Sequence, residues 1–355
     1  NIIKNFNFDN FKKIFDLSES KVDKIKLLLS KILEFSLPLS LVENLNDKII
    51  FYKNYLKNYN VSEINSLVGH FYDDNFKVFC SAKINPLTKI VVHEHGITNF
   101  SKIYTDNEKY FFVKNYTTLK FANFYYAWGK GKLSKRWDGV EDKYKIKIIN
   151  KCSLNLAKIK KGSKNNKNKI NNILYIGGPN KLFLNSIDEV SPLENYNHKL
   201  KVVKFIKKIL YQNLNLKIVY KNFNSTPKGY EDDIVFNELY NEINSKKINI
   251  TFSKPTSLYK NFDLILLDMI STPVAEIINT NIPFLVFANK HEYKMASEDG
   301  KELNDKFEKL NILSYDIETS NNNFNLLKNR KDEFYIGKNK QVLLKFQELL
   351  CYPKK

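Results

Sequence analysis

Short apolar runs alternate with amphipathic stretches along the second half of the chain. The runs are β-branched and aromatic, which suits buried strands, and the stretches carry apolar residues at three- and four-residue spacing, which suits helices. The predicted strands are 173–176, 216–220, 248–252, 263–267 and 283–287, and the predicted helices are 200–210, 234–243, 271–279 and 340–350. This alternation predicts right-handed βαβ units and a parallel sheet.

The first half has a less regular pattern. It predicts helices at 11–15, 22–33 and 71–82, and strands at 48–52, 63–69, 90–92 and 121–128. Residues 158–169 are Lys, Asn, Gly and Ser with almost no apolar side chains, which is typical of a linker. We therefore expect an α/β protein of the GT-B type, with two Rossmann-like domains facing across a cleft. The expected limits are 1–160, 170–335 and a C-terminal helix at 336–355.

Composition agrees with a folded, cytoplasmic protein. The 355 residues are 43% hydrophobic and 14% aromatic, which is ample for two cores. No run of about 18 uncharged apolar residues occurs, so no membrane span is expected. Cys80, Cys152 and Cys351 are odd in number and widely spaced, which favours thiols in a reducing compartment over disulfides or a zinc site.

The formal net charge of +19 comes almost entirely from lysine. Arginine occurs only at Arg136 and Arg330, whereas nucleic-acid sites generally depend on arginine for bidentate contacts. We therefore interpret the lysines as solvated surface and expect no nucleic-acid partner. Peripheral contact with an anionic membrane, at its inner face, is compatible with this charge.

A compact acid–base set follows the predicted strand at 90–92. His93, Glu94, His95 and Gly96 are consecutive, and Asn99 follows them. Histidine titrates near neutrality and a buried glutamate can be tuned upward, so the set suits removal of a proton from an acceptor hydroxyl. His93 and His95 could instead share a metal ion, although no third ligand is evident. The same residues could also simply close a strand-to-loop turn.

A glycine turn and a lysine follow two predicted strands of the second half. Gly177, Gly178, Pro179 and Asn180 come after a buried strand, where backbone amides can approach a phosphate. A plain strand-to-helix turn explains this segment equally well. Lys221 ends the next strand and is a candidate to neutralise phosphate, or an ordinary surface lysine.

The best helix start of the second half lies at Ser271. Ser271 is a natural N-cap, and Thr272 and Pro273 suit the first helical turn. Hydroxyls and free amides at a helix start bind phosphate, and Glu276 on the same helix can accept hydrogen bonds from ribose hydroxyls. The structural alternative is an ordinary capped helix with a solvated glutamate.

Taken together, these segments resemble bacterial surface-carbohydrate transferases, the capsule and lipopolysaccharide enzymes of the GT-B fold. The resemblance spans residues 37–287, and its motifs are the Leu-Pro segment at 37–43, His93 to Gly96, the acidic segment at 107–109, Ala127-Trp128-Gly129, and 271–276 followed by Asn281-Ile282-Pro283. It departs from the family pattern after Gly96, where Ile97, Thr98 and Asn99 replace further glycines.

The resemblance implies a metal-independent glycosyltransferase with no cofactor beyond its nucleotide-sugar substrate. The C-terminal domain would bind the nucleotide. The N-terminal domain would supply Glu94 or His95 as base, with His93 beside them, and would bind a glycan or glycolipid acceptor near Gly96, Asn99 and Trp128. A further likeness to sialyltransferases and Kdo transferases suggests a CMP-activated acidic sugar. The alternatives are a sugar-nucleotide epimerase of similar architecture and a non-catalytic, polyanion-binding scaffold.

Overall fold

The structure is a computed structural model. It describes residues 18–36, 44–59, 61–67, 73–82, 87–94, 96, 122–130, 141–142, 145–159, 169–179, 190–222, 233–280, 282–294, 296, 298–329 and 337–350. The chain forms two compact units, Asn1–Ile90 and Val91–Lys355. The predicted helix at 11–15 and most of the predicted linker lie outside the described residues, and the predicted domain limits stay a prediction.

The described residues of the first unit form α1 (Glu19–Ser36), α2 (Leu45–Lys57), β1 (Glu63–Ser66) and α3 (Asp74–Ser81). Helix α3 begins where the Asp73 carboxylate accepts a hydrogen bond from the Phe76 amide at 3.1 Å, which satisfies one free donor of the helix start. The Tyr52 and Phe79 rings meet edge to face, 5.4 Å apart, and join α2 to α3. The described part of this unit is thus mainly helical.

The predicted strand at 48–52 is wrong, because these residues lie inside α2. Their run of apolar residues suggested a buried strand. However, Leu45, Ile49, Tyr52 and Leu56 follow one another at helical spacing, and Leu56 is buried. The helical spacing of these apolar residues therefore determines the structure of the segment.

A four-stranded sheet has the order β1-β2-β3-β4, with β2 (Lys89–His93), β3 (Phe124–Trp128) and β4 (Lys147–Lys151). The boundary between the two units falls within β2. Strands β2, β3 and β4 are parallel, and His93 is in register with Tyr126. Their small core is formed by Val92, Ala122, Tyr125, Ala127, Ile146 and Ile148. The sheet ends at Glu94 and Trp128, where the first candidate cluster begins.

A six-stranded parallel sheet forms the rest of the second unit. Its strands are β5 (Asn172–Ile176), β6 (Lys217–Lys221), β7 (Ile248–Ile250), β8 (Leu264–Leu267), β9 (Phe284–Phe287) and β10 (Leu313–Ser314). The helices are α4 (Leu154–Ala157), α5 (Pro192–Gln212), α6 (Ile234–Glu238), α7 (Tyr240–Asn244), α8 (Pro255–Leu258), α9 (Thr272–Ile278), α10 (Lys290–Lys294), α11 (Glu298–Lys309), α12 (Ile317–Asn329) and α13 (Gly337–Leu350). A 3₁₀ turn spans Tyr259–Asn261. The predicted alternation of strands and helices is confirmed.

The strand order β10-β9-β8-β5-β6-β7 reverses direction between β5 and β8. In open parallel sheets, ligands bind beyond the carboxyl ends of the strands at such a switch point. The segments that leave β5 and β8 begin at Gly177 and Asp268, which are two of the predicted nucleotide-binding segments. The topology therefore points to the same place as the sequence.

Helix α13 returns from the six-stranded sheet to the end of β3. Phe346 is buried, with its ring 5.7 Å from that of Phe307. The Lys130 amide donates to the Glu348 carbonyl at 2.9 Å, and Lys130 Nζ lies 3.1 Å from Glu348 Oε2. Within the described ranges, no helix is both long enough and apolar enough to cross a bilayer.

Candidate active site

Gly177 and Gly178 lie in close contact with buried side chains. A Cβ atom on Gly177 would lie 3.1 Å from the Tyr220 hydroxyl, and one on Gly178 would lie 2.5 Å from Met269 Sδ. A larger residue would therefore have to displace its neighbours. Close packing alone explains why glycine stands at both positions.

The amides of this turn already have acceptors within the protein. The Gly177 amide donates to the Lys221 carbonyl at 2.9 Å, and the Gly178 amide donates to Asp268 Oδ1 at 2.6 Å. Pro179 has no N–H to offer, and Asn180 lies outside the described residues. The expected phosphate contact through the two glycine amides therefore does not fit this geometry, although the turn does sit at the switch point.

Asp268 is the centre of a buried polar network at that point. Its Oδ2 accepts from the Tyr175 hydroxyl at 2.7 Å and from Lys199 Nζ at 2.5 Å. Lys199 also donates to the Gly178 carbonyl at 2.9 Å, and His198 Nε2 donates to the Asp268 carbonyl at 2.9 Å. Asp268 therefore ties helix α5 and the turn after β5 to the segment that precedes α9.

The charges of this network compensate one another. Burial raises the pKa of Asp268, but Lys199 and the other donors outweigh it and hold the pKa below its ordinary value. Burial lowers the pKa of His198 despite the nearby Asp268 charge. The network therefore contains an ionised Asp268–Lys199 pair beside a neutral imidazole at neutral pH.

Helix α9 begins as the sequence predicts. Ser271 is the N-cap residue, and the Val274 amide donates to its carbonyl at 2.8 Å. The Ser271 hydroxyl makes no capping bond to the helix. Ser271 and Thr272 are half-buried, so two hydroxyls stand at the helix start without being consumed by the cap.

Glu276 and Lys221 are both held by neighbours. The Tyr259 hydroxyl donates to Glu276 Oε2 at 2.5 Å, and burial raises the pKa of this carboxyl while the tyrosine bond opposes the rise. Lys221 is buried, its Nζ donates to the Asn222 carbonyl at 2.6 Å, and burial lowers its pKa. Lys221 is therefore not an ordinary surface lysine.

The acid–base residues His93 and Glu94 are held by the four-stranded sheet. Glu94 is buried, and its Oε2 accepts from the Trp128 amide at 2.5 Å, while its own amide donates to the Tyr126 carbonyl at 2.9 Å. The His93 ring stands edge-on to the Tyr126 ring at 5.0 Å, and Lys151 Nζ lies 4.8 Å from the centroid of the same ring. His95 and Asn99 lie outside the described residues.

Gly96 brings this cluster to helix α9. Its φ of +74° is in the left-handed region that favours glycine. A Cβ atom on Gly96 would lie 2.8 Å from Thr272 Oγ1. Gly96, two residues after Glu94, therefore lies against Thr272, the first residue of α9.

Trp128 has a packing role in this structure. Its half-buried side chain packs against the core of the six-stranded sheet. Its amide holds Glu94, as described above. Contact between Trp128 and an acceptor stays a prediction.

Three residues of the site are missing from the sequence interpretation: Lys199, His198 and Tyr259. Lys199 counts among the lysines that the sequence analysis interprets as solvated surface, yet it precedes Val202, Val203 and Ile206 at helical spacing and falls on the buried face of α5. The spacing was a usable signal. For Tyr259 no local signal exists, because its partner Glu276 is on a different element.

A metal centre has no support from the described side chains, among which no group of three or more His, Cys, Asp or Glu residues could hold an ion. Cys80 is buried and Cys152 is exposed, each as a free thiol. The alternative of a metal shared by His93 and His95 depends on a residue outside the described ranges.

The parallel sheets, the switch point and the approach of Gly96 to α9 agree with a GT-B fold, and so does comparison with solved structures. The chain is similar to S. aureus MnaA in its co-structure with UDP, at 13% identity and a TM-score of 0.50, over 88% of this chain and 78% of that one. It is similar to a Listeria monocytogenes protein assigned as a UDP-N-acetylglucosamine 2-epimerase, at 12% identity and a TM-score of 0.51, over 86% and 78% of the two chains. At this identity, the likeness establishes the fold. The predicted GT-B architecture is confirmed.

The chain belongs to the LIC12162 family of transferases, whose sequence profile matches residues 3–326. The prediction of an enzyme is thus confirmed: the protein is a transferase with the fold of GT-B glycosyltransferases. A search among curated proteins gave no match.

Proposed function

We propose that the protein is a glycosyltransferase, which moves a sugar from a nucleotide donor to a glycan or glycolipid precursor of a surface polysaccharide. Family membership supports a transferase. The approach of Gly96 to Thr272 supports the proposal further, because Gly96 follows Glu94 by two residues and Thr272 is the first residue of the helix at the switch point. Group transfer requires such proximity of donor and base.

On the donor side, we assign the phosphate to the start of α9. The Ser271 and Thr272 hydroxyls stand there, and helix starts favour negative charge. Glu276 would accept hydrogen bonds from the ribose. Lys221 would add positive charge beside Gly177, because the Gly177 amide donates to the Lys221 carbonyl. Departure of the nucleotide would be helped by these donors.

On the acceptor side, Glu94 and His95 are the candidate bases, with His93 beside them. Glu94→Gln separates catalysis from support, since glutamine keeps an oxygen for the Trp128 amide but cannot take a proton. If Glu94 is the base, this variant loses at least about 100-fold in turnover without a loss of stability. If Glu94 only holds the strand end, Glu94→Gln stays active and His95→Asn loses the activity. Full activity of both variants overturns the assignment.

The donor nucleotide is the next question. The sialyltransferase and Kdo-transferase likeness favours CMP, whereas the S. aureus MnaA co-structure contains UDP. A thermal-shift series with CMP, CDP, UDP and GDP tests both. We expect one nucleotide to raise the melting temperature clearly above the others, since a ligand stabilises in proportion to its affinity.

An epimerase is the second candidate, because a similar fold is found in the L. monocytogenes protein assigned to that activity. Product analysis separates the two: a transferase releases nucleotide only as the acceptor gains a sugar, whereas an epimerase alters the sugar with no acceptor present. A non-catalytic scaffold would bind polyanions with steep salt dependence and without nucleotide preference.

We also propose that transfer needs no metal ion and takes place at the cytoplasmic face of the membrane. Turnover should then survive EDTA. The lysine-rich surface would favour peripheral binding to anionic lipid. Co-sedimentation with phosphatidylglycerol vesicles, with phosphatidylcholine vesicles as the comparison, would measure this binding.

A further inference from the structure

The carboxylate of Glu276 is held on one side only. The Tyr259 hydroxyl donates to Oε2 at 2.5 Å, and no other hydrogen bond to this carboxylate occurs in the described part of the chain. Tyr259 is 2% exposed, whereas Glu276 is half-buried. Oε1 therefore remains available as an acceptor on a side chain that solvent can reach.

The tyrosine is a rigid support for this carboxylate. Its ring belongs to the core of the six-stranded sheet, so its hydroxyl cannot follow a moving partner. A hydrogen bond to an ionised oxygen is about twice as strong as a neutral one. The bond also opposes the effect of burial, which raises the pKa of Glu276, and so favours the ionised acceptor.

The position of Glu276 fits the part of a nucleotide next to its phosphate. Thr272 and Glu276 are four residues apart on α9, and residues at this spacing share one face of a helix. They are separated by about 6 Å along the axis. A phosphate at Thr272 therefore places the adjoining ribose near Glu276.

We propose that Tyr259 is a positioning residue, which holds Glu276 so that its carboxylate accepts hydrogen bonds from the ribose hydroxyls of the donor nucleotide. The site thereby selects ribonucleotides over deoxyribonucleotides. This inference rests on the proposed function, and it adds a residue and a selectivity to it.

The test compares binding of UDP and CMP with binding of their 2′-deoxy and 3′-deoxy counterparts, by calorimetry on the full chain. The wild-type protein should bind its preferred ribonucleotide about tenfold more tightly than at least one deoxy form, as expected for loss of a bond to a charged group. Tyr259→Phe keeps the ring and removes the hydroxyl. It should lower ribonucleotide affinity about tenfold and leave deoxynucleotide affinity unchanged.

Tyr211→Phe is the matched control. The Tyr211 hydroxyl donates to Glu242 Oε1 at 2.9 Å, a bond of the same kind, but α5 ends there at the amino edge of the sheet. This variant should bind all nucleotides as the wild type does. Glu276→Gln provides a second test that leaves the tyrosine intact, and it should reproduce the ribose-specific loss.

An equal loss for ribo- and deoxynucleotides in Tyr259→Phe would mean that the hydroxyl supports only the fold, and would overturn the inference. Nucleotide binding without any ribose discrimination in the wild type would overturn it too, while leaving the glycosyltransferase proposal intact. If CMP, CDP, UDP and GDP all fail to bind, both proposals fall together.

Discussion

At the scale of single residues, Gly96 is under two separate constraints. Its φ is +74°, and its missing Cβ leaves room for Thr272 Oγ1. Gly96→Ala should therefore lower the free energy of unfolding by about 1–3 kcal/mol and reduce turnover, because residue 96 must move away from Thr272. Chemical denaturation and a steady-state assay would measure the two effects.

Gly129→Ala separates the two constraints, since Gly129 is also left-handed, with a φ of +53°. Gly129→Ala should lower the free energy of unfolding through the same backbone strain, but it should leave turnover unchanged. Adding Thr272→Ala to Gly96→Ala removes the hydroxyl in the way and should recover part of the stability. No recovery at all would mean that the contact is not the source of the loss.

His198 gives a pH dependence with a definite sign. Burial lowers the pKa of His198 in the folded protein. Near pH 6.5, this imidazole therefore binds a proton in the unfolded chain but not in the folded one. The free energy of unfolding should therefore fall as the pH drops from 7 to 5, by up to about 1.4 kcal/mol per pH unit from this group. His198→Gln keeps a donor for the Asp268 carbonyl and should flatten this part of the curve.

His291→Gln is the control, since His291 is partly exposed near Glu194. Asp268 has a lowered pKa, so its contribution is lost only at a pH below the ordinary carboxylate range. The two effects occupy different pH windows. A curve unchanged by His198→Gln between pH 7 and 5 would contradict the assignment of a neutral, buried imidazole.

At the scale of elements, one ion pair joins three segments. Lys199 and Asp268 have side chains that are 3% and 1% exposed, and they connect α5, the turn after β5 and the segment before α9. Lys199→Met leaves a buried carboxylate without its cation, and should cost about 3–5 kcal/mol in the free energy of unfolding. It should also weaken nucleotide binding, since the site segments lose their common anchor.

The double variant Lys199→Met, Asp268→Asn provides the comparison. It removes the unpaired charge, so it should be more stable than Lys199→Met alone, as measured by urea unfolding. The cost of the double variant in the free energy of unfolding, minus the sum of the costs of the two single variants, measures the interaction between Lys199 and Asp268. If the two costs simply add, the ion pair does not organise these segments.

Most helices and strands are predictable from the sequence, because the local spacing of apolar residues determines them. Strands β5, β6, β8 and β9 are short buried runs bounded by polar residues, and each was found at the right place. The predicted helix at 234–243 is instead two short helices, α6 and α7. Strand β10 has two residues, too few to produce a periodic signal, and it exists only because β9 pairs with it.

The candidate site was predictable where it depends on helix starts and strand ends. Ser271 as N-cap and Gly96 as a left-handed glycine follow from local conformational preference. Helical spacing indicates that Lys199 is buried, but its partner Asp268, like the partner of Tyr259, is set by tertiary pairing that no local pattern records. The sequence therefore locates the site better than it identifies the residues that hold it in place.

At the scale of the whole second unit, α13 is one of the elements that contact both of its sheets. Phe346 lies in the core of the six-stranded sheet against Phe307, and two residues later Glu348 binds Lys130 just after β3. The Lys130–Glu348 ion pair is partly exposed, so it contributes little by itself. Burial of Phe346 is the larger contribution.

Phe346→Ala should therefore loosen a distant strand end as well as its own surroundings. Removing this buried ring should lower the free energy of unfolding by about 3–5 kcal/mol. Amide hydrogen exchange should become faster at Lys130 and in α11 together, because the helix that joins them is no longer anchored. Leu344→Ala on the same helix removes a side chain that is 39% exposed and should change neither. Faster exchange confined to α11 would show that Lys130 is held independently of α13, and that the two sheets of this unit are joined by other contacts.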